Sequence, residues 1–127
     1  MNGCEESVMK TGQAIRDELR EPTRLLRRAI PDVYEGYRHL HDSALADGAL
    51  TTRAKELIAL AIAVSKECDG CIAAHAHAAA LHGAAPQEAA EAIGVAILMN
   101  GGPATVYGAR AFAVFQEFHT QRQPASA

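Results

Sequence analysis

The chain has 127 residues, of which 49% are apolar but only 5% aromatic, with no Trp. A net charge of −3, from 12 Lys and Arg against 15 Asp and Glu, argues against a nucleic-acid-binding surface. The start, MNGCEESVMKTGQ, is too polar for a secretory signal, and the most apolar run, ELIALAIAV, is too short to span a bilayer. We therefore expect a cytoplasmic protein without a membrane partner, forming a single domain over residues 1–127.

Helical patterns follow one another from the start of the chain, and no alternating strand pattern is found. The first segment, EESVMKTGQAIRDELREPTRLLRRA, predicts a charged helix that is interrupted or bent at Pro22. Pro31 opens a second helix, and the turn residues Asp47–Gly48 follow it. Thr51 or Thr52 then caps a third helix with the interior AKELIALAIAVSK.

A break at CDG precedes the helix CIAAHAHAAALH, which Gly83 ends. Pro86 opens the next helix, PQEAAEAIGVAILMN, and a GGP sequence separates it from a last helix, ATVYGARAFAVFQEFHT. The sequence thus predicts an all-α domain of about six helices joined by short loops. Residues 1–5 and 121–127 are predicted to be frayed, and Cys4 in the first of these is predicted to have no role.

The segment KECDGCIAAHAHAAALHG gathers thiols and imidazoles in an apolar stretch. On a helix, Cys68, Cys71 and His75 lie at i, i+3 and i+7, which places them on one stripe. Two cysteines at this spacing can cycle between dithiol and disulfide. Because the helix begins near Cys68, the positive end of its dipole should favour a thiolate there. In a reducing compartment, this motif indicates catalysis or metal binding rather than a structural disulfide.

Glu56 is an acidic residue inside the preceding apolar helix, where a buried carboxylate needs a partner. If the two helices pack antiparallel, that partner is His75, and the pair forms a proton relay beside the dithiol. The residues also allow a zinc site in a binding or interaction protein, with Glu56 or His82 as fourth ligand to Cys68, Cys71 and His75. Core cysteines without a function are the third possibility.

Other roles are expected for four further histidines. His77 is two residues from His75 and is expected to pack in the core or at an interface. His82 is expected to interact with the C-terminus of its helix. His39 and His41 are expected to face solvent or a subunit contact.

The pattern of Glu56, eleven residues, CxxC, three residues and His75 resembles the core of the carboxymuconolactone decarboxylase superfamily, in its alkylhydroperoxidase D-like branch. The similarity extends from about residue 31 to residue 118, through DGALTTRAKEL and MNGGPATVYGARAF. The resemblance implies an all-helical fold and a thiol-dependent peroxidase or disulfide oxidoreductase that acts on a small hydroperoxide without a metal or organic cofactor.

The resemblance also implies a role for each residue. Cys71 would attack the peroxide and become a sulfenic acid, and Cys68 would donate a proton and then resolve the sulfenic acid as a disulfide. Glu56 and His75 would form the proton relay, and a thiol or lipoyl-type reductant protein would restore the dithiol. Helix-terminus electrostatics alone favour the thiolate on Cys68 instead.

The chain departs from the best-known alkylhydroperoxidases of this type, which are longer and carry a histidine where this chain has Gly70. One proton-handling group is therefore missing, and peroxidase turnover is expected to be weak. Decarboxylase-like chemistry on a small carboxylic lactone is a further alternative, but the lactone decarboxylases of the superfamily lack the CxxC, so its presence in this chain argues against that activity.

Assembly into a homo-oligomer is expected because the helices ELIALAIAV and AIGVAILM have almost no polar face. Part of their surface should therefore meet another copy of the chain, and the resemblance favours a hexamer over a trimer. The last helix is expected to supply the aromatic anchors of this interface, namely Tyr107, Phe112, Phe115 and Phe118.

Overall fold

The computed structural model describes residues 10–123. It contains six helices, which are α1 (Gly12–Ala29), α2 (Pro31–Leu45), α3 (Thr52–Ser65), α4 (Asp69–Leu81), α5 (Pro86–Asn100) and α6 (Gly102–Arg122). No strand occurs between residues 10 and 123, so the predicted all-α architecture is confirmed. The predictions for residues 1–5 and Cys4 lie outside the described residues, and so does the end of the tail, 124–127.

The helix boundaries follow from local capping chemistry. Thr11 Oγ1 accepts the N–H of Ala14 at 3.0 Å at the start of α1, and Thr51 Oγ1 accepts that of Ala54 at 3.1 Å at the start of α3. Gly83, with φ of +87°, follows the end of α4 as predicted. Two features differ from expectation. Helix α1 continues through Pro22, where an interruption or bend was predicted, and α6 extends to Arg122, into the segment predicted to be frayed.

Helices α3, α4, α5 and α6 enclose the core. Small side chains let them approach closely, as at Gly108 of α6, where an added Cβ would lie 2.8 Å from Ile93 Cγ2 of α5. The largest buried side chains are Phe115 and Phe118, which are 0% and 1% exposed. This Ala-rich bundle fixes α3 against α4, the two helices that carry the residues discussed below.

The burial of Phe115 and Phe118 contradicts their predicted place at a subunit interface. Both side chains belong to the core of their own chain, and Tyr107 and Phe112 pack against that core in partly buried positions. The prediction was wrong because a helix that is apolar around most of its circumference does not reveal which face turns inward.

Apolar surface is nevertheless exposed elsewhere. Helix α2 has no buried residue, and Val33, Tyr37 and Leu40 at i, i+4 and i+7 are each more than 60% exposed. A groove of about 360 Å³ between α3 and α5 is lined mainly by apolar side chains, among them Ile62 and Met99. The expectation that α3 and α5 leave apolar surface uncovered is therefore confirmed. Within residues 10–123, no helix combines the length and hydropathy needed to cross a membrane.

Candidate functional site

The turn between α3 and α4 places the first cysteine. Glu67 N–H donates to Val64 O at 3.1 Å and Cys68 N–H donates to Ala63 O at 3.2 Å, which together form a Schellman motif at the end of α3. Glu67 occupies the left-handed position of this motif, with φ of +54°. Cys68 directly follows this motif, so only a short turn separates it from the end of α3.

Cys68 is the N-cap residue of α4, with extended backbone angles of φ −111° and ψ 100°. Its Sγ accepts the backbone N–H of Cys71 at 3.2 Å, as a serine or aspartate oxygen does at other N-caps. The sulfur thus lies at the positive end of the helix dipole, as the sequence predicted. Both cysteines are free thiols, Cys68 half-buried and Cys71 exposed.

Cys68 affects the ionisation of Cys71. A hydrogen bond to Cys68, with further contributions from burial and from the charge on Cys68, raises the pKa of Cys71 to about 11. A thiol in this position keeps its proton at neutral pH.

Glu56 and His75 meet between α3 and α4. His75 Nδ1 and Glu56 Oε1 are 2.6 Å apart, and Glu56 is only 3% exposed whereas the His75 side chain is 22% exposed. The predicted pairing is confirmed. Because an ionised carboxylate can only accept, Nδ1 donates, and Nε2 is left to accept or release a proton. His75 lies one turn after Cys71 on the same helix, so the Glu56–His75 pair is close to the two cysteines.

Two side chains near the motif were not predicted from the sequence. Arg110 of α6 lies 3.8 Å from Asp69 within the CxxC and stacks over the Tyr107 ring at 4.9 Å. Leu19 of α1 covers Gly70, where an added Cβ would lie 3.1 Å from Leu19 Cδ1. An isolated charge in the apolar run YGARAF was a signal for Arg110, whereas nothing in the sequence pointed to Leu19. A histidine at position 70 would have to displace Leu19.

The other histidines lie away from the dithiol. His77 packs edge-on against Phe118, with ring centroids 5.0 Å apart, which confirms its expected packing role. His82 is the C-cap residue of α4, whereas His39 and His41 lie on α2 and are exposed. Across residues 10–123, no three His, Cys, Asp or Glu side chains are grouped as metal ligands.

Comparison with known proteins agrees with this architecture. The model of the carboxymuconolactone decarboxylase family matches residues 31–114, a range that includes Glu56, Cys68, Cys71 and His75. The chain belongs to the carboxymuconolactone decarboxylase family. This family includes decarboxylases and peroxidases.

Relatives within the family share most of the chain. An uncharacterized protein of Cupriavidus necator is 38% identical over 90 residues, which cover 71% of this chain and 80% of the relative. An uncharacterized protein of the cox locus of Paracoccus denitrificans is also 38% identical over 90 residues, covering 71% of this chain and 81% of that protein.

A solved structure supports the fold. The apo crystal structure of a carboxymuconolactone decarboxylase family protein from Legionella pneumophila superposes with a TM-score of 0.82 at 36% identity. The match covers 85% of this chain and 96% of the Legionella chain. The helical architecture described above is thus that of the family.

Proposed function

We propose that this protein is a thiol-dependent peroxidase or disulfide oxidoreductase of the alkylhydroperoxidase D-like branch, which reduces hydroperoxides through its CxxC. The observation that carries the proposal is the 2.6 Å hydrogen bond between buried Glu56 and His75, one turn from Cys71. A buried acid–histidine pair beside a dithiol is suited to moving protons to and from sulfur and oxygen. A purely structural CxxC does not need such a relay.

The proposed reaction is a two-electron exchange. A thiolate attacks one oxygen of the hydroperoxide, the O–O bond breaks, and the alkoxide leaves as an alcohol after taking a proton. The second sulfur then attacks the resulting sulfenic acid, the S–O bond breaks, and water leaves. Two thiols and one hydroperoxide thus yield one disulfide, one alcohol and one water.

His75 would hold and release the protons of this cycle, and the Glu56 carboxylate would stabilise the imidazolium that forms. A thiol or lipoyl-type reductant protein would return the disulfide to the dithiol by exchange. A dithiol that must be reduced again in each cycle fits a reducing compartment such as the cytoplasm. No metal or organic cofactor takes part in the proposed steps.

Peroxide consumption by the purified protein tests this function. With an organic hydroperoxide and excess dithiothreitol, the unchanged chain should consume peroxide, and Cys68→Ser and Cys71→Ser should each lose turnover. Zinc content, measured on the same preparation, should be far below one ion per chain. Stoichiometric zinc together with thiols that do not react with peroxide would instead establish the zinc-binding alternative.

We also propose that the chain forms a homo-oligomer, with a hexamer favoured over a trimer. Support comes from the apolar stripe of α2 and the groove between α3 and α5, which a second copy of the chain would cover. Light scattering at micromolar concentration tests the assembly. Replacing exposed Ile62 by Glu in the groove should shift the mass towards smaller species, whereas a monomeric mass for the unchanged chain would contradict the proposal.

A further inference from the structure

The CxxC contains an acidic residue whose charge opposes the ionisation of its neighbours. Asp69 is the first residue of α4 and lies between Cys68 and Cys71 in the sequence. A carboxylate in the first turn stabilises the helix, because it meets the positive end of the helix dipole. The same negative charge disfavours a thiolate on either neighbouring cysteine. The start of α4 therefore combines a residue that favours the helix with one that hinders thiol chemistry.

Helix α6 supplies a counter-charge for Asp69. Arg110 Nη1 lies 3.8 Å from Asp69 Oδ2. The guanidinium carbon of Arg110 also lies 4.9 Å from the centroid of the Tyr107 ring, and Tyr107 packs against the core. Because an aromatic face attracts a cation, the Tyr107 ring holds the guanidinium beside Asp69.

We infer that Arg110 is a positioning residue of the dithiol, which acts through Asp69. Held over the Tyr107 ring, its guanidinium offsets the carboxylate charge between the two cysteines and so favours the thiolate from which reaction starts. This inference rests on the proposed function, in which the CxxC reacts as a dithiol. The sequence motif lies on α3 and α4, and the inference adds a residue of α6 to the site.

The contact between Arg110 and Asp69 is an ion pair without a hydrogen bond, because 3.8 Å exceeds the range of an N–H···O bond. Charge, rather than the forked geometry of the guanidinium, therefore carries its effect. The two side chains are 40% and 49% exposed, so solvent screens the pair. The effect of either charge on the thiols should accordingly be modest.

The other charged groups near the start of α4 have partners of their own. Helix α3 contributes Glu56, which is bound to His75. The turn before α4 carries Lys66 and Glu67, which are adjacent, exposed and opposite in charge. Among residues 10–123, the cationic side chain within 4 Å of the carboxylate in the CxxC is the arginine of α6.

Helix α1 also packs against α4, but its contact at the CxxC is made by Leu19, which has no charge. Arg20, next to Leu19, is paired with Asp17 at 2.8 Å. Arg16 lies over the Phe118 ring, with its guanidinium carbon 5.9 Å from the ring centroid. The arginines of α1 near this point are thus engaged elsewhere, and the counter-charge comes from α6.

The pH dependence of alkylation tests the role of Arg110. The reduced full chain carrying Cys4→Ser is treated with iodoacetamide over a range of pH, and the acid dissociation constant of the reactive thiol is read from the rates, because only the thiolate reacts. Arg110→Gln should lower that constant by about two- to fivefold, since Asp69 is then uncompensated. Asp69→Asn should raise it by a similar factor, and the double variant should lie close to the unchanged chain.

Two further variants separate charge from structure. Arg110→Lys keeps the charge and should stay within about twofold of the unchanged chain. Arg53→Gln is the matched control, because Arg53 lies 3.9 Å from Glu88 at the opposite end of α3 and is similarly exposed, at 48%. It should leave the pH profile unchanged. A lower thermal stability of Arg110→Gln with an unchanged profile, or an acid dissociation constant that falls in Asp69→Asn, would overturn the inference.

Alkylation does not involve peroxide, so the inference and the proposed function can fail separately. Oxidation by cumene hydroperoxide is measured on the same variants. The predicted shifts in alkylation together with no oxidation would support the role of Arg110 and refute the peroxidase function. Oxidation of every variant with an unshifted alkylation profile in Arg110→Gln would overturn the role of Arg110 and leave the proposed function standing.

Discussion

Replacing Glu56 by Gln tests the proton relay with little change in shape. Glutamine can still accept the Nδ1–H of His75 through its amide oxygen, so the contact at 2.6 Å can persist. What is lost is the negative charge, which stabilises the imidazolium form of His75 during the reaction. The variant therefore separates an electrostatic role of Glu56 from a packing role.

Two magnitudes are expected. A hydrogen bond to a charged group contributes about 1.5–3 kcal/mol and a neutral one about 0.5–1.5 kcal/mol, so the free energy of unfolding should fall by only about 1 kcal/mol. Peroxide reduction should slow by about 10²–10⁴-fold, as is typical when a positioned acid–base group is lost. The activation barrier would thus rise by about 3–5 kcal/mol, several times the loss of stability.

Single-turnover oxidation of the reduced protein by hydroperoxide provides the assay, with thermal unfolding measured on the same samples. Glu91→Gln on α5 is the matched control, because Glu91 is exposed and accepts a side-chain hydrogen bond only from Gln87. The control should change neither quantity measurably. If Glu56→Gln oxidises at the normal rate, or loses activity only in proportion to unfolding, the relay has no part in the mechanism.

Further outcomes are expected for packing, pH and redox chemistry. Gly108→Ala should lower the free energy of unfolding by about 1–3 kcal/mol, because the added Cβ would lie 2.8 Å from Ile93 Cγ2. Gly94→Ala should raise it by about 0.5–1 kcal/mol, because the added Cβ meets nothing within 4 Å. Urea unfolding measures both changes, and equal effects of the two substitutions would contradict the packing account. Burial and the nearby Arg16 and Arg122 lower the pKa of His77 below its ordinary value of 6.5. The unfolded chain therefore protonates His77 more readily than the folded chain does, so the free energy of unfolding falls as the pH drops below about 6.5. His77→Gln should flatten that fall between about pH 7 and pH 5, and an unchanged pH profile would remove His77 as its cause. Mild oxidation should form a disulfide within the CxxC and leave Cys4 as a free thiol, and peptide mapping that found Cys4 in the main intramolecular disulfide would refute this.

The local features of the fold could be predicted because each follows from a few neighbouring residues. A threonine before α3, Gly83 after α4 and Pro86 at the start of α5 each act within one helical turn. The pairing of Glu56 with His75 was also predictable, since a carboxylate in an apolar helix has few ways to be satisfied.

The remaining features depend on packing between distant segments. The inward face of α6 depends on its packing against α5, where Gly108 lies close to Ile93. The sequence of an apolar helix does not show which face this is, so Phe115 was predicted at an interface although it is buried. Leu19 lies about fifty residues before the CxxC that it covers, and no local pattern connects the two.

The central claim is that the Cys68–Cys71 dithiol reduces a hydroperoxide, and its stoichiometry tests this most directly. The fully reduced protein, with Cys4→Ser, is titrated with cumene hydroperoxide while free thiols, alcohol product and intact mass are followed. The account predicts that one equivalent of peroxide removes both thiols, forms one equivalent of alcohol and lowers the mass by two hydrogens. Thiols that remain after excess peroxide, or that gain oxygen without forming the disulfide, would contradict it.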